Sequence, residues 1–330
     1  MKHCGIIAHH DRLSKQQKLG GMRYTNAMLN RYQHKGLTWI DLESPTRDEV
    51  RHLVEEFHIE PLIGEELLLP STRPRVEFYP SYLYVILHFP ALRHSHRTLE
   101  QELDFIIGRD YIITARYDTV DPLHKFSKVF EVNSILDTSN IGEHAGYIFF
   151  YMLRKLYRSV EHEVEYVRQD LIMIEQHIFT GHEVKMVSAI SRSARDLLNL
   201  RQTIEPHREV LHEIESSGAR FFGEDFIPYL RALSNEYYRV HNHIMRNTDT
   251  LHELRETNNS LLSTKQNEVM KTLTVITAVA APLALVAGLF GISSQYIPII
   301  NTPRGFWFVL GLMGIAAISI VYLFKRENWL

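Results

Sequence analysis

Cysteine is almost missing from this chain of 330 residues, with Cys4 its one copy. No disulfide can close within a single chain, and zinc sites built on cysteine are excluded too. A surplus of basic charge is also missing. The formal net charge is −3 and no basic tail is present, which argues against a nucleic-acid partner. No nucleophile elbow, Walker loop or His-Glu-x-x-His motif occurs, so neither an enzyme nor a bound cofactor is expected. The opening MKHCGIIAHHDRLSK lacks an apolar stretch of signal-peptide length, so the body is expected not to be exported. The most telling absence is of charge. Residues 272–292 and 306–324 contain no Asp, Glu, Lys or Arg.

Each of these uncharged runs is close to the roughly 20 residues that cross a ~30 Å hydrocarbon layer at about 1.5 Å per residue. A buried soluble hairpin would need a core able to wrap both runs on every side, which the rest of the chain does not offer. Two membrane spans are therefore expected, joined by a short outside loop, residues 293–305. Lys265 and Lys271 precede the first span and Lys325 and Arg326 follow the second, whereas the loop holds only Arg304. Positive charge favours the cytoplasmic side, so both termini are expected inside a cell (inner) membrane that the chain crosses twice.

The body before the spans divides by pattern. Residues 1–35 read as a polar arm or an edge element. A strand at 37–42 leads to Ser44-Pro45-Thr46, where Ser44 or Thr46 caps a helix and Pro45, Asp48 and Glu49 suit its start. Val50, Leu53, Val54 and Phe57 give that helix one apolar face. A turn-rich stretch, PLIGEELLLPSTRPR, follows. Strands are then expected at 76–79, 82–89, 103–107 and 111–115, separated by turns at Pro80-Ser81 and Gly108-Arg109-Asp110. From about residue 141 the pattern turns helical. Apolar residues recur near every 3.5 positions over 147–179, Gly181 stops that helix, and a second runs back over 183–216 with a break or kink at Pro206. Gly218 and Gly223 separate it from a third helix beginning near Asp225. This one meets no Gly or Pro between Leu230 and Pro282 and so enters the first span directly, a rod of about 80–90 Å. The expected organisation is an α/β cytoplasmic domain (1–140), a cytoplasmic helical domain with the stalk helix (141–270), and a transmembrane domain (271–330).

On the helical wheel Asn267, Met270, Leu273, Thr277, Ala281, Ala284 and Gly288 share one face. It begins polar, passes through Met and Leu, and becomes small. Small residues let helices approach closely in lipid, while Asn and Thr need a partner or water. The stripe is therefore either a helix-packing seam or one wall of a water-lined path. Two spans cannot enclose a pore, so the second reading demands an oligomer. Pro282 removes one backbone hydrogen bond from the span, as is common in membrane helices.

These residues resemble the CorA-type divalent-cation transporters over roughly Trp39 to Leu330. The similar segments are WIDLESPT, PLIGEELLLPSTRPRVEFYPSYLYVILH and ELDFIIG…YIITAR in the body. In the membrane part they are NEVMKTLTVI…PLALVAGLFG, the loop's YIP and the terminal YLFKRENWL. The resemblance implies a homopentamer with a funnel-shaped cytoplasmic assembly, embedded in lipid. Five copies of the long helix would line the conduit, with the second span packed outside. It places Asn267, Met270, Leu273, Thr277, Ala281 and Ala284 on the conduit, with Met270 and Leu273 as a hydrophobic constriction that gates by drying. Divalent metal between cytoplasmic domains would hold the closed state, through ligands that no residue here is matched to.

One departure bears on the ion. The family's Gly-Met-Asn signature at the outer mouth reads Gly291-Ile292-Ser293 here. Ser293 replaces an amide oxygen that would accept hydrogen bonds from an ion's water shell, and a shorter hydroxyl can still accept. The loop also holds no Asp or Glu, so no acidic ring concentrates cations. The expected cargo is Mg²⁺, with Zn²⁺, Co²⁺ or Ni²⁺ as the alternative, as in the zinc-transporting ZntB-like relatives. A different class of function is a non-conducting membrane regulator or metal sensor that kept the fold. Among the 19 histidines, His94 with His96 and His241 with His243 are candidate ligands. The second pair is spaced i, i+2 and points apart on a helix. Glu161, Glu163 and Glu165 read as a solvated face.

Overall fold

The β-rich segments gather into one six-stranded mixed sheet in the computed structural model, which describes residues 28–34, 36–90, 100–117, 123, 144–291 and 303–327. The strands are β1 (Met28–His34), β2 (Leu37–Glu43), β3 (Arg75–Phe78), β4 (Leu83–Pro90), β5 (Glu100–Ile107) and β6 (Tyr111–Arg116). Their order is β1-β2-β6-β5-β4-β3. β2 and β6 pair in parallel and the other neighbours antiparallel. The residues expected as an arm or edge element thus include edge strand β1.

Helix α1 (Arg47–Phe57) starts at Thr46. The Thr46 hydroxyl accepts from the Glu49 N–H, and the Glu49 carboxylate accepts from the Thr46 N–H at 2.9 Å. This reciprocal cap satisfies two donors that a helix start leaves open. The stretch read as turns opens instead with a short helix, α2 (Pro61–Glu66), with proline at its first turn. Both helices pack on one sheet face, where Ile40, Leu42, Val50, Leu53, Ile63, Ile86, Ile106 and Ile113 form a buried core.

The remaining described elements are helical: α3 (Gly146–Phe179), α4 (Glu183–Ile204), α5 (His207–Phe222), a 3-10 turn (Glu224–Phe226), α6 (Ile227–Gly291) and α7 (Pro303–Arg326). On the other sheet face Phe105 meets Phe149 edge-on at 5.2 Å. Phe89 meets His207 and Tyr157 in the same manner. His207 is fully buried; its Nε2 donates to the His88 carbonyl at 2.7 Å, and Nδ1 accepts from the Tyr157 hydroxyl at 2.9 Å. Burial pushes its pKa down to about 4, so the ring is neutral near pH 7.

The break expected at Pro206 divides α4 from α5, which Pro206 caps. One helix expectation changes. Gly218 does not separate helices but lies within α5, where a Cβ would come 2.8 Å from Leu230 Cδ1. A side chain there would have to push the end of the Leu230 side chain aside. The apolar periodicity otherwise reappears as burial. Leu153, Leu156, Val160, Val164, Val167, Leu171 and Ile174 of α3 are buried, as are Leu233, Tyr237, Val240, Ile244, Leu251 and Leu254 of α6.

The chain forms two compact units. One comprises residues 1–176 and 188–252 and contains the sheet; the other comprises 177–187 and 253–330.

Candidate functional site

The second unit contains both uncharged runs, and each is helical over its described residues. The most apolar windows of α6 and α7 have mean hydropathies of 2.1 and 2.3, and only 6% and 0% of them is buried. A core helix of a soluble protein would be mostly covered. These two helices are long and apolar enough to cross a membrane, and their apolar surface faces outward.

What little is covered follows a stripe on each helix. On α6 Val275 is buried at 8% exposure, and Ala278, Val279, Leu283 and Val286 are half-buried. On α7 the half-buried residues are Val309, Met313, Ala317, Ile320 and Phe324, spaced three or four apart. The stripe singled out in the sequence lies elsewhere. Asn267, Met270, Leu273, Thr277, Ala281, Ala284 and Gly288 are all exposed, Met270 and Leu273 at 59% and 56%. At about 100° per residue its centre falls roughly 160° around α6 from the covered stripe. A single chain therefore leaves this face bare. A Cβ added at Gly288 would meet nothing within 4 Å.

The threonines of α6 have a specific polarity. Thr277 Oγ1 donates to the Leu273 carbonyl at 2.8 Å, and Thr274 and Thr272 donate likewise to Met270 and Glu268. With its proton turned into the helix, the Thr277 oxygen presents only lone pairs outward. The face thus offers an acceptor of the kind a cation or its water shell recognises. Pro282 sits inside α6 without ending it.

Near the start of the apolar run, Lys265 Nζ lies 2.7 Å from Glu183 Oε2 and 3.4 Å from the Gly181 carbonyl. The lysine holds the Glu183 carboxyl below the usual carboxylate range. Sequence reading had no signal for this contact, because the partners are 82 residues apart.

The remaining sequence candidates fall as follows. Gly291 is the last residue of α6. Ile292 and Ser293 of the altered signature, with His94 and His96, lie outside the described residues. His241 packs against Tyr237 at 5.7 Å between centroids, while His243 Nδ1 is 4.0 Å from Glu161 Oε1, so the two do not converge. Glu161 also pairs with Arg239 at 3.3 Å, and Glu165 with Arg168 at 2.6 Å. Among the described residues no group of three or more His, Cys, Asp or Glu is arranged to hold a metal.

Comparison with known proteins bears on the family and the fold. Residues 34–326 match the family model described as CorA-like Mg²⁺ transporter protein. The cobalt/magnesium transport protein CorA of Thermotoga maritima is 27% identical over 305 residues, covering 89% of this chain and 83% of that protein. The cobalt/magnesium transport protein CorA of Methanocaldococcus jannaschii is 21% identical over 294 residues, covering 89% and 92%. The solved complete structure of the CorA magnesium transporter from M. jannaschii superposes with a TM-score of 0.77 at 20% identity, covering 91% of this chain and 93% of that one.

Proposed function

The chain belongs to the CorA-like Mg²⁺ transporter family, and on that premise we propose that it is a homopentameric inner-membrane channel for divalent cations, Mg²⁺ first. α6 and α7 cross the membrane, both termini are cytoplasmic, and the face of α6 bearing residues 267–288 lines the ion path. The observation that carries this reading is the bare stripe opposite the covered one. Lipid would gain nothing from Thr277 and would leave its outward lone pairs without a donor. Five copies facing inward give those lone pairs water, and the small residues of the face leave room for it.

On this axis the residues have distinct roles. Asn267 marks the cytoplasmic approach, and Met270 and Leu273 form an apolar ring that closes by expelling water. Thr277 supplies a ring of hydroxyl lone pairs in the bilayer, and Ala281, Ala284 and Gly288 keep the outer half open. Gly291, Ile292 and Ser293 form the outer mouth, where the serine hydroxyl accepts from the ion's hydration water. Magnesium gives up its water reluctantly, so neutral oxygens at the mouth and at Thr277 suit a hydrated ion. An inside-negative potential drives uptake at about 2.3 kcal/mol per charge per 100 mV, twice that for a divalent cation.

The outer loop favours a second reading. It has no acid and has serine in place of the family's asparagine, which fits a non-conducting regulator or sensor. Uptake into liposomes separates the two. Purified protein is assayed with Mg²⁺, Zn²⁺, Co²⁺ and Ni²⁺, alongside Ser293→Asn. Mg²⁺ flux supports transport, a preference for Zn²⁺, Co²⁺ or Ni²⁺ reassigns the cargo, and no flux of any ion through an intact oligomer would favour the second reading.

A further inference from the structure

The hairpin between α3 and α4 carries two apolar side chains at its tip that nothing in the chain covers. Phe179, the last residue of α3, is 67% exposed, and Val184, on the first turn of α4, is 73% exposed. They flank a sharp reversal whose Gly181 has φ +86°, a conformation that costs a glycine little. The tip belongs to the same compact unit as the membrane-crossing segments. Its level is fixed by Lys265, which bonds both Glu183 and the Gly181 carbonyl. Lys265 precedes the apolar run at residue 272 by seven positions, about 10 Å along a helix. Each headgroup layer is roughly 6 Å deep, so a side chain reaching down from that level enters it.

Charge agrees with this placement. Residues 177–187 contain one carboxylate, Glu183, against Lys185 and two histidines, and that carboxylate is already engaged by Lys265. The tip therefore presents no unpaired negative charge to an anionic leaflet. Two side chains are too small a patch for a stable protein interface, which buries at least about 1,000 Å². They suffice for a lipid contact on a hairpin already tethered beside the bilayer, because tethering replaces most of the affinity a free ligand would need.

We infer that the α3–α4 tip rests on the cytoplasmic membrane surface, with Phe179 and Val184 inserted among the lipid headgroups. This rests on the reading of α6 and α7 as membrane spans. The contact would make the hairpin a strut between the bilayer and α6 at Lys265, just before the constriction.

The test uses the full chain, with Cys4→Ser, in nanodiscs of mixed zwitterionic and anionic lipid. One fluorophore is attached at Thr180→Cys, Ile315→Cys or Glu55→Cys and is exposed to a lipid-borne quencher or to aqueous iodide. The lipid-borne quencher is expected to act at Thr180 at least about threefold more strongly than at Glu55, and Phe179→Glu with Val184→Glu to remove that excess. Strong lipid quenching at Ile315 with only iodide quenching at Thr180 overturns the inference and leaves the spans intact. A Thr180 label shielded from both quenchers overturns it in favour of a protein partner, such as a second copy. Quenching that survives the double substitution overturns the role of the two side chains. Absence of lipid quenching at Ile315 removes the membrane reading and this inference together.

Discussion

Replacing Thr277 by valine tests the proposed conduit with little change of shape. The two side chains are nearly isosteric, and the hydroxyl donates only to the Leu273 carbonyl at 2.8 Å, a group that keeps its helical hydrogen bond. The substitution therefore removes outward lone pairs without leaving a buried donor unmatched. A hydrogen bond to such an oxygen is worth roughly 1 kcal/mol. An ion whose water shell is held by two copies at once would lose about 2 kcal/mol, a drop in flux of about thirtyfold. Thr277→Ser, which restores the hydroxyl and its back-bond, should recover most of it. The assay is Mg²⁺ entry into liposomes under an inside-negative diffusion potential, read by an internal indicator. If Thr277→Val transports within about twofold of the parent while its oligomer is intact, these lone pairs do not face the ion and the assigned face is wrong.

Three further outcomes follow from the same geometry. Making the constriction polar with Met270→Ser and Leu273→Ser should raise basal flux, because a wet ring no longer closes by drying; a variant that stays as closed as the parent excludes this pair as the gate. Arg116 pairs with Asp41 at 3.1 Å with both side chains buried, so Arg116→Met should cost about 3–5 kcal/mol by stranding the carboxylate. Chemical denaturation measures this, and an unchanged midpoint refutes it. His207 is neutral and buried with its pKa near about 4, against about 6.5 when unfolded. Above pH 6.5 it contributes no pH dependence. Stability should fall as pH drops from 6.5 to 4, by about 3 kcal/mol in all, and level off below. In His207→Gln that part of the profile should flatten, and an identical profile would sink the assignment.

The parts of this molecule visible in its sequence are those set by local pattern. An uncharged run of span length reads the same wherever it packs, and α6 is legible because nothing between Leu230 and Pro282 can end it. The parts that were not visible depend on distant partners. β1 is legible only as an arm or edge element; it presents no clear apolar alternation and is an edge strand, with Leu29 39% exposed. It is held by pairing with β2 and by Tyr32 stacked on Trp39 at 4.7 Å. α2 has the composition of turns and is helical because Ile63 and Leu67 enter a core that β2, β4, β5 and β6 complete. Gly218 looks like a stop until Leu230 is seen beside it. Asp41 and Arg116 are 75 positions apart and meet only because β2 and β6 pair in parallel.

The candidate site divides in the same way. Periodicity alone placed Asn267, Met270, Leu273, Thr277, Ala281, Ala284 and Gly288 on one face but could not say whether that face was covered. Coverage is settled by a second stripe, Val275 to Val286, which is the one shielded in the fold. Once one side of α6 is partly covered and its opposite side is bare and partly polar, the chain is incomplete in lipid by itself. Hydrocarbon cannot satisfy the outward lone pairs of Thr277, and the second span leaves that side chain exposed. In the proposed pentamer the cover comes from further copies of the same face, and a ring of such faces encloses water. On the proposed reading, assembly and transport therefore have one cause: the residues that make the monomer unsuited to lipid are those that make the oligomer permeable to a hydrated ion.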